Sequence, residues 1–195
     1  MKWNMNSFQT RKVSAQATSA RFFGVHNNLV LIGFMGSGKS SVGRRLATKQ
    51  RKSFVDTDAE IVADAGMSIQ KIFSQEGEPS FRIRETKVLQ RLVDYEGIVL
   101  ATGGGIILRE ENRNLLHRIG PVIWLYAKPD ILFERAMRSR KRPLLLVENP
   151  RERFESLLAE REALYRKSAD VHVDSSYLDH EETAAKILEK LNLEI

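Results

Sequence analysis

The chain of 195 residues contains no cysteine, which excludes disulfides, thiolate zinc sites and a cysteine nucleophile. No stretch approaches the roughly 18 apolar residues that a membrane span needs. The four histidines, His26, His117, His172 and His180, show neither metal-ligand spacing nor a partner. His117 and His180 read as helix-surface residues and His172 as a strand residue, so no Ser-His-Asp arrangement can be drawn. Acid is missing from one region: residues 1–28 hold Lys2, Arg11, Lys12 and Arg21 but no Asp or Glu, and most of the net charge of +6 sits there. The rest of the chain is near balance, which gives no reason to expect a nucleic acid or another polyanion as partner.

Residues 1–28 are polar, rich in Ser, Thr, Gln and Asn, and lack helical periodicity. They read as a disordered extension. Their acid-free, Arg- and Ser-containing make-up also resembles an organelle transit peptide, and an upstream start codon, with Met5 or a later residue as the true start, is a third reading. The absence of an apolar core excludes a secretory signal. The expected location is the cytoplasm, with organellar import through residues 1–28 as the alternative. Residues 29–195 read as one domain, with no internal repeat.

What is present is decisive at one point. Gly33-Phe34-Met35-Gly36-Ser37-Gly38-Lys39-Ser40 matches Gly-x-x-x-x-Gly-Lys-Ser. It follows the apolar run Leu29-Val30-Leu31-Ile32 and precedes a helical pattern of Val42, Leu46 and Ala47. That strand-to-helix setting is what a phosphate-binding loop requires. Backbone N–H groups and the helix N-terminus then favour phosphate oxygens. Lys39 can reach the β- and γ-phosphates, and Ser40 can ligate Mg²⁺.

Downstream, short apolar strands alternate with helices: strands at 53–55, 98–101, 122–126 and 171–173, with helices between them. Ser68 is expected to cap a helix that stops at Gly77, and Pro79 to open a long one. This alternation predicts an α/β fold with a parallel sheet covered on both faces, and ligands at the carboxyl ends of the strands. Three such ends carry chemistry: the phosphate loop, Asp56-Thr57-Asp58 and Gly103-Gly104-Gly105. Asp56 is the best candidate for a carboxylate on the Mg²⁺ side, acting through a metal-bound water. Asp58 points the same way if the segment is extended, and serves as a cap if it begins a helix. The three glycines suit either a flexible loop or a close approach of backbone to ligand, and sterics favour the second.

Two arginines stand out by phase. At about 100° per residue, Arg161 falls in the middle of the stripe formed by Phe154, Leu157, Leu158 and Tyr165. Arg82 falls between Leu89 and Val93, with Glu85 three residues on and able to pair with it. A charge aimed inward is costly unless it is paired. Each arginine could therefore close a buried gap or hold an anion, for which a guanidinium fork is suited. The basic run Arg138-Ser139-Arg140-Lys141-Arg142-Pro143 reads as a solvated face, a nucleic-acid grip, or a mobile lid that brings an arginine onto a phosphoryl group.

Taken in order, the phosphate loop at 33–40, Asp56-Thr57-Asp58, Phe81-Arg82-Ile83-Arg84-Glu85, Gly103-Gly104-Gly105, Arg142-Pro143-Leu144-Leu145 and Arg161-Glu162-Ala163-Leu164-Tyr165 resemble the motif set of shikimate kinases over about residues 28–192. The resemblance implies a three-layer phosphate-loop fold like that of nucleoside monophosphate kinases, with a five-stranded parallel sheet of order 2-3-1-4-5. It implies substrate-binding helices at about 58–95 and a mobile lid at about 138–150. It implies transfer of the ATP γ-phosphoryl to the 3-hydroxyl of shikimate, with Mg²⁺. Gly36, Ser37, Gly38, Lys39, Ser40 and Ser41 would hold the nucleotide, Ser40 and (through water) Asp56 the metal, and Arg142 the ATP phosphates. Asp58, Arg82, Arg161 and the glycines 103–105 would bind shikimate, with Glu85 supporting Arg82. The expected partners are ATP and shikimate, with no nucleic acid and no membrane, and the expected state is a monomer. Rival readings are a kinase for another hydroxy acid such as gluconate, a GTPase-type switch and an ATP-dependent nucleic-acid binder. The switch lacks its guanine motif, since Ala127-Lys128-Pro129-Asp130 has no Asn.

Overall fold

The computed structural model describes residues 27–138 and 143–193. Five strands form one sheet: β1 (Leu29–Ile32), β2 (Ser53–Asp56), β3 (Ile98–Ala101), β4 (Val122–Tyr126) and β5 (Val171–Asp174). Their order is β2-β3-β1-β4-β5 and every pairing is parallel. Among the described residues there are seven α-helices: α1 (Lys39–Lys49), α2 (Thr57–Ala65), α3 (Ile69–Leu92), α4 (Glu110–Ile119), α5 (Pro129–Met137), α6 (Pro150–Ser168) and α7 (His180–Leu191). The parallel sheet expected from the alternation of elements and the strand order implied by the resemblance are both found.

The central strand explains the layering. All four residues of β1 are buried, as continuous apolar strands of a two-sided parallel sheet must be. Successive side chains leave on opposite faces. Val30 and Ile32 join the larger core, with residues of α3, α4, α5 and α6. Leu29 and Leu31 join the smaller core, with α1 and α7. The carboxyl ends of β1, β2 and β3 consequently face one edge, free of covering helices, where the loops meet.

Local signals set the helix ends. Ser68 caps α3 by accepting from the Lys71 N–H at 3.3 Å, as expected. The helices anticipated on either side of Gly77 form one element with a break there, where φ is 79°. The cap expected of Asp58 belongs instead to Asp56, whose carboxylate accepts from the Asp58 N–H at 3.0 Å. The backbone is still extended at Asp56 and helical from Thr57 onward, so only Asp56 has the half-in geometry of a cap.

Three further differences are instructive. Asn28, placed in the extension by the sequence reading, is buried. Its amide donates to the Tyr95 and Ile119 carbonyls and accepts from the Ile98 N–H, sealing the amino-terminal edge of the sheet. His117 does have a partner: its Nδ1 lies 3.5 Å from Asp170 Oδ2, and that contact raises its pKa above the usual value. A short 3₁₀ turn at Ile106–Leu108 follows the triple glycine. Residues 1–26 and Arg142 lie outside the described residues, and so does most of the basic run. No helix among the described residues is long and apolar enough to cross a membrane.

Candidate active site

The phosphate loop joins β1 to α1. Lys39 Nζ donates to the carbonyls of Gly33 (2.8 Å) and Phe34 (3.0 Å) and to Ser37 Oγ (3.3 Å). The ammonium thus braces the loop at its own mouth. Ser40 Oγ donates to Asp56 Oδ2 at 2.7 Å. The side chain from the loop and the carboxylate at the end of β2 therefore stand together. Both are hard oxygen donors, the chemistry that suits Mg²⁺. Among the described residues no group of three or more His, Asp or Glu side chains could hold a metal unaided.

Beside this loop lies a cavity of about 430 Å³. Asp58, Arg82, Glu85, Gly103, Gly104, Gly105 and Arg161 all line it. The cavity brings together residues from α2, α3, the loop after β3 and α6. Met35 joins its wall from the phosphate loop, and Val62, Ile69, Phe73, Phe81 and Leu144 supply apolar surface. The sequence reading missed these wall residues, because an apolar side chain facing a cavity has the same phase as one facing the core.

Arg82 is held at both edges of its guanidinium. Nη1 donates to Glu85 Oε2 at 2.7 Å, while Nη2 and Nε reach Glu78 Oε1 at 2.6 and 3.1 Å. Glu85 is 0 % exposed. Glu78 also went unrecognised in the sequence, since a half-exposed acid four residues before an arginine looks like any surface pair. Arg161 is 3 % exposed. Its guanidinium lies 5.8 Å above the Phe34 ring, and its Nε has no hydrogen-bond partner among the described residues. A buried cationic donor left unmet beside a cavity has the chemistry to receive an anion.

Two of the three glycines are explained by close approach. A Cβ on Gly105 would lie 2.3 Å from Arg82 Nη1, so the guanidinium rests directly on that backbone. A Cβ on Gly103 would lie 2.7 Å from Asp58 Oδ1 and 2.9 Å from Glu85 Oε1. The glycines let two carboxylates and an arginine crowd against one strand end. Thr57 Oγ1, itself buried, fixes the turn by accepting from the Gly103 N–H at 2.9 Å.

Crowding has an electrostatic consequence. Burial pushes the Glu85 carboxyl up from 4.5 to about 7; the Arg82 charge pulls it down, the Asp58 charge adds to the rise, and Arg161 pulls it down. The folded value lies above the unfolded one. The stability contributed by this group is therefore complete below about pH 4.5 and is lost as pH rises through about 7. Wild type should lose stability relative to Glu85→Gln between those limits, by on the order of 3 kcal/mol. Urea unfolding of both proteins across that range measures it; a constant difference would contradict the assignment.

A family model for shikimate kinase matches residues 35–192. The chain is 44% identical over 167 residues to a shikimate kinase of Neisseria meningitidis serogroup C, covering 86% of this chain and 97% of that one. The shikimate kinase of Acinetobacter baumannii, solved in complex with shikimate, is 41% identical with a TM-score of 0.81, over 88% of this chain and 95% of that one. The Aquifex aeolicus shikimate kinase is 36% identical with a TM-score of 0.75, over 85% of this chain and 96% of that one. With the phosphate loop, the glycine-lined cavity and the inward arginines in one fold, this chain belongs to the shikimate kinase family.

Proposed function

We propose that the chain transfers the γ-phosphoryl group of ATP to the 3-hydroxyl of shikimate, giving shikimate 3-phosphate on the route to chorismate and aromatic amino acids. One observation carries this reading: Arg82 and Arg161 line a single cavity with Asp58, beside the phosphate loop. A six-membered ring bearing a carboxylate and hydroxyls matches that cavity's chemistry. The two guanidiniums would take the carboxylate, and Asp58 would take the hydroxyl proton. The shikimate bound to the A. baumannii relative supports the same choice of acceptor.

The roles follow from position. The backbone of Gly36 to Ser41 would hold the nucleotide phosphates, with Lys39 exchanging its loop carbonyls for phosphate oxygens. Ser40, and Asp56 through a water, would hold magnesium; when bound, that ion offsets charge on the β- and γ-phosphate oxygens. Arg82 and Arg161 fix the acceptor's carboxylate, and Glu85 and Glu78 keep the Arg82 fork in plane. The Gly103–Gly105 backbone contacts the ring. Asp58 orients the 3-hydroxyl and accepts its proton as the new O–P bond forms. The bond from the γ-phosphorus to its bridging oxygen breaks, and ADP leaves. Phosphoryl transfer depends mostly on such positioning and charge compensation. Arg142, carried by a lid at about 138–150, would add charge on the transferring group and keep water out.

ADP release by the full chain with MgATP, measured with shikimate, gluconate or a nucleoside monophosphate as acceptor, tests the reading. Shikimate alone should accelerate release. Equal rates with gluconate, or no dependence on any acceptor, would overturn it.

A further inference from the structure

Tyr165 lies on α6 one turn beyond Arg161 and plays no part in the roles above. It is 1 % exposed. Its ring stacks on Trp124, with centroids 6.0 Å apart and planes at 17°. Its hydroxyl donates to the Gly104 carbonyl oxygen, and the Arg161 guanidinium interacts with the same hydroxyl. The phenol oxygen therefore engages two groups, Gly104 in the loop after β3 by a hydrogen bond and Arg161 on α6 through the field of its charge. Both line the cavity. Tyr165 does not.

The geometry of the peptide extends this contact into the cavity. In a trans peptide, C=O and N–H point in opposite directions. Holding the Gly104 carbonyl against Tyr165 turns the Gly105 N–H away from it. The neighbouring donors are committed: the Gly103 N–H goes to Thr57 Oγ1, and the Ile106 and Leu108 N–H groups go to the Gly103 and Gly105 carbonyls. The Gly104 and Gly105 N–H groups donate to no backbone carbonyl among the described residues. Neither glycine has a side chain to hold this peptide, so its orientation depends on the Tyr165 hydroxyl at the Gly104 carbonyl, together with the Arg82 guanidinium against Gly105 and the Leu108 N–H at the Gly105 carbonyl.

We propose that Tyr165 is a positioning residue for acceptor binding: its hydroxyl ties the Gly104 carbonyl to Arg161, so that the Gly105 N–H and the Arg161 fork meet the acceptor at a fixed angle. The inference rests on the assignment of this cavity to shikimate. The ring alone would serve as core packing. The hydroxyl is what links the two walls.

The test is Tyr165→Phe, which keeps the ring and removes one oxygen. The shikimate KM should rise about tenfold, equivalent to about 1.4 kcal/mol, while the ATP KM stays within about twofold. KM does not depend on the fraction of molecules that are folded, so partial loss of active protein does not mimic the effect. Trp124→Phe, on the other side of the same ring, should leave the shikimate KM unchanged. An unchanged shikimate KM in Tyr165→Phe, an equal rise in both variants, or a variant too unstable to assay would each show the hydroxyl to be structural and overturn the proposal. Failure of the wild type to use shikimate would instead overturn the functional reading, so the two failures are separable.

Discussion

Asp58→Asn should lower kcat with shikimate about a thousandfold and leave the ATP dissociation constant within about threefold. The amide keeps the volume against which Gly103 packs, so the pocket should retain its shape. It cannot accept the hydroxyl proton. The same change removes a negative charge that raises the Glu85 carboxyl, which lets Glu85 ionise more readily and hold Arg82 more firmly. The two consequences have opposite signs: activity falls while folding stability holds or rises. A thermal melt beside steady-state kinetics separates them. Unchanged turnover would remove Asp58 from the reaction. Equal losses of activity and melting temperature would make it a structural acid.

Arg161→Ala should raise the shikimate KM about a hundredfold and change the ATP KM little. Removing one partner of a desolvated charge pair costs about 2–5 kcal/mol, and a hundredfold is about 2.7 kcal/mol. The loss belongs to the acceptor because the Arg161 guanidinium lies in the cavity wall over the Phe34 ring, whereas the phosphate loop is braced by Lys39. Comparable increases in both KM values would mean that Arg161 props up the pocket as a whole. Paired measurements at saturating co-substrate discriminate the two.

The inward arginines were legible in the sequence because a charge within an apolar stripe has to be explained. Arg161 among Phe154, Leu157 and Tyr165 is such a case, and α6 buries all four. The phosphate loop was legible because its spacing follows from its mechanism. The parallel sheet could be read from the alternation of elements, but the strand order came from resemblance alone, since local pattern does not say which strands are neighbours. Tyr165 read as core because a buried hydroxyl and a buried ring have the same helical phase. Asn28 looked like part of a polar tail; its burial depends on Tyr95, Ile98 and Ile119, all far away in sequence. That the cap of α2 is Asp56 and not Asp58 turned on a backbone change within two residues, finer than periodicity resolves.

The central claim is geometric: the carboxylate grip of Arg82 and Arg161 points one hydroxyl of the acceptor at the nucleotide's terminal phosphate. Phosphorus-31 NMR of the full chain turning over MgATP and shikimate reads this directly. A single new monoester, coupled to the proton on C3 of the ring, is the expected product. Esters at other ring oxygens, or inorganic phosphate as the only phosphorus product besides ADP, would contradict it.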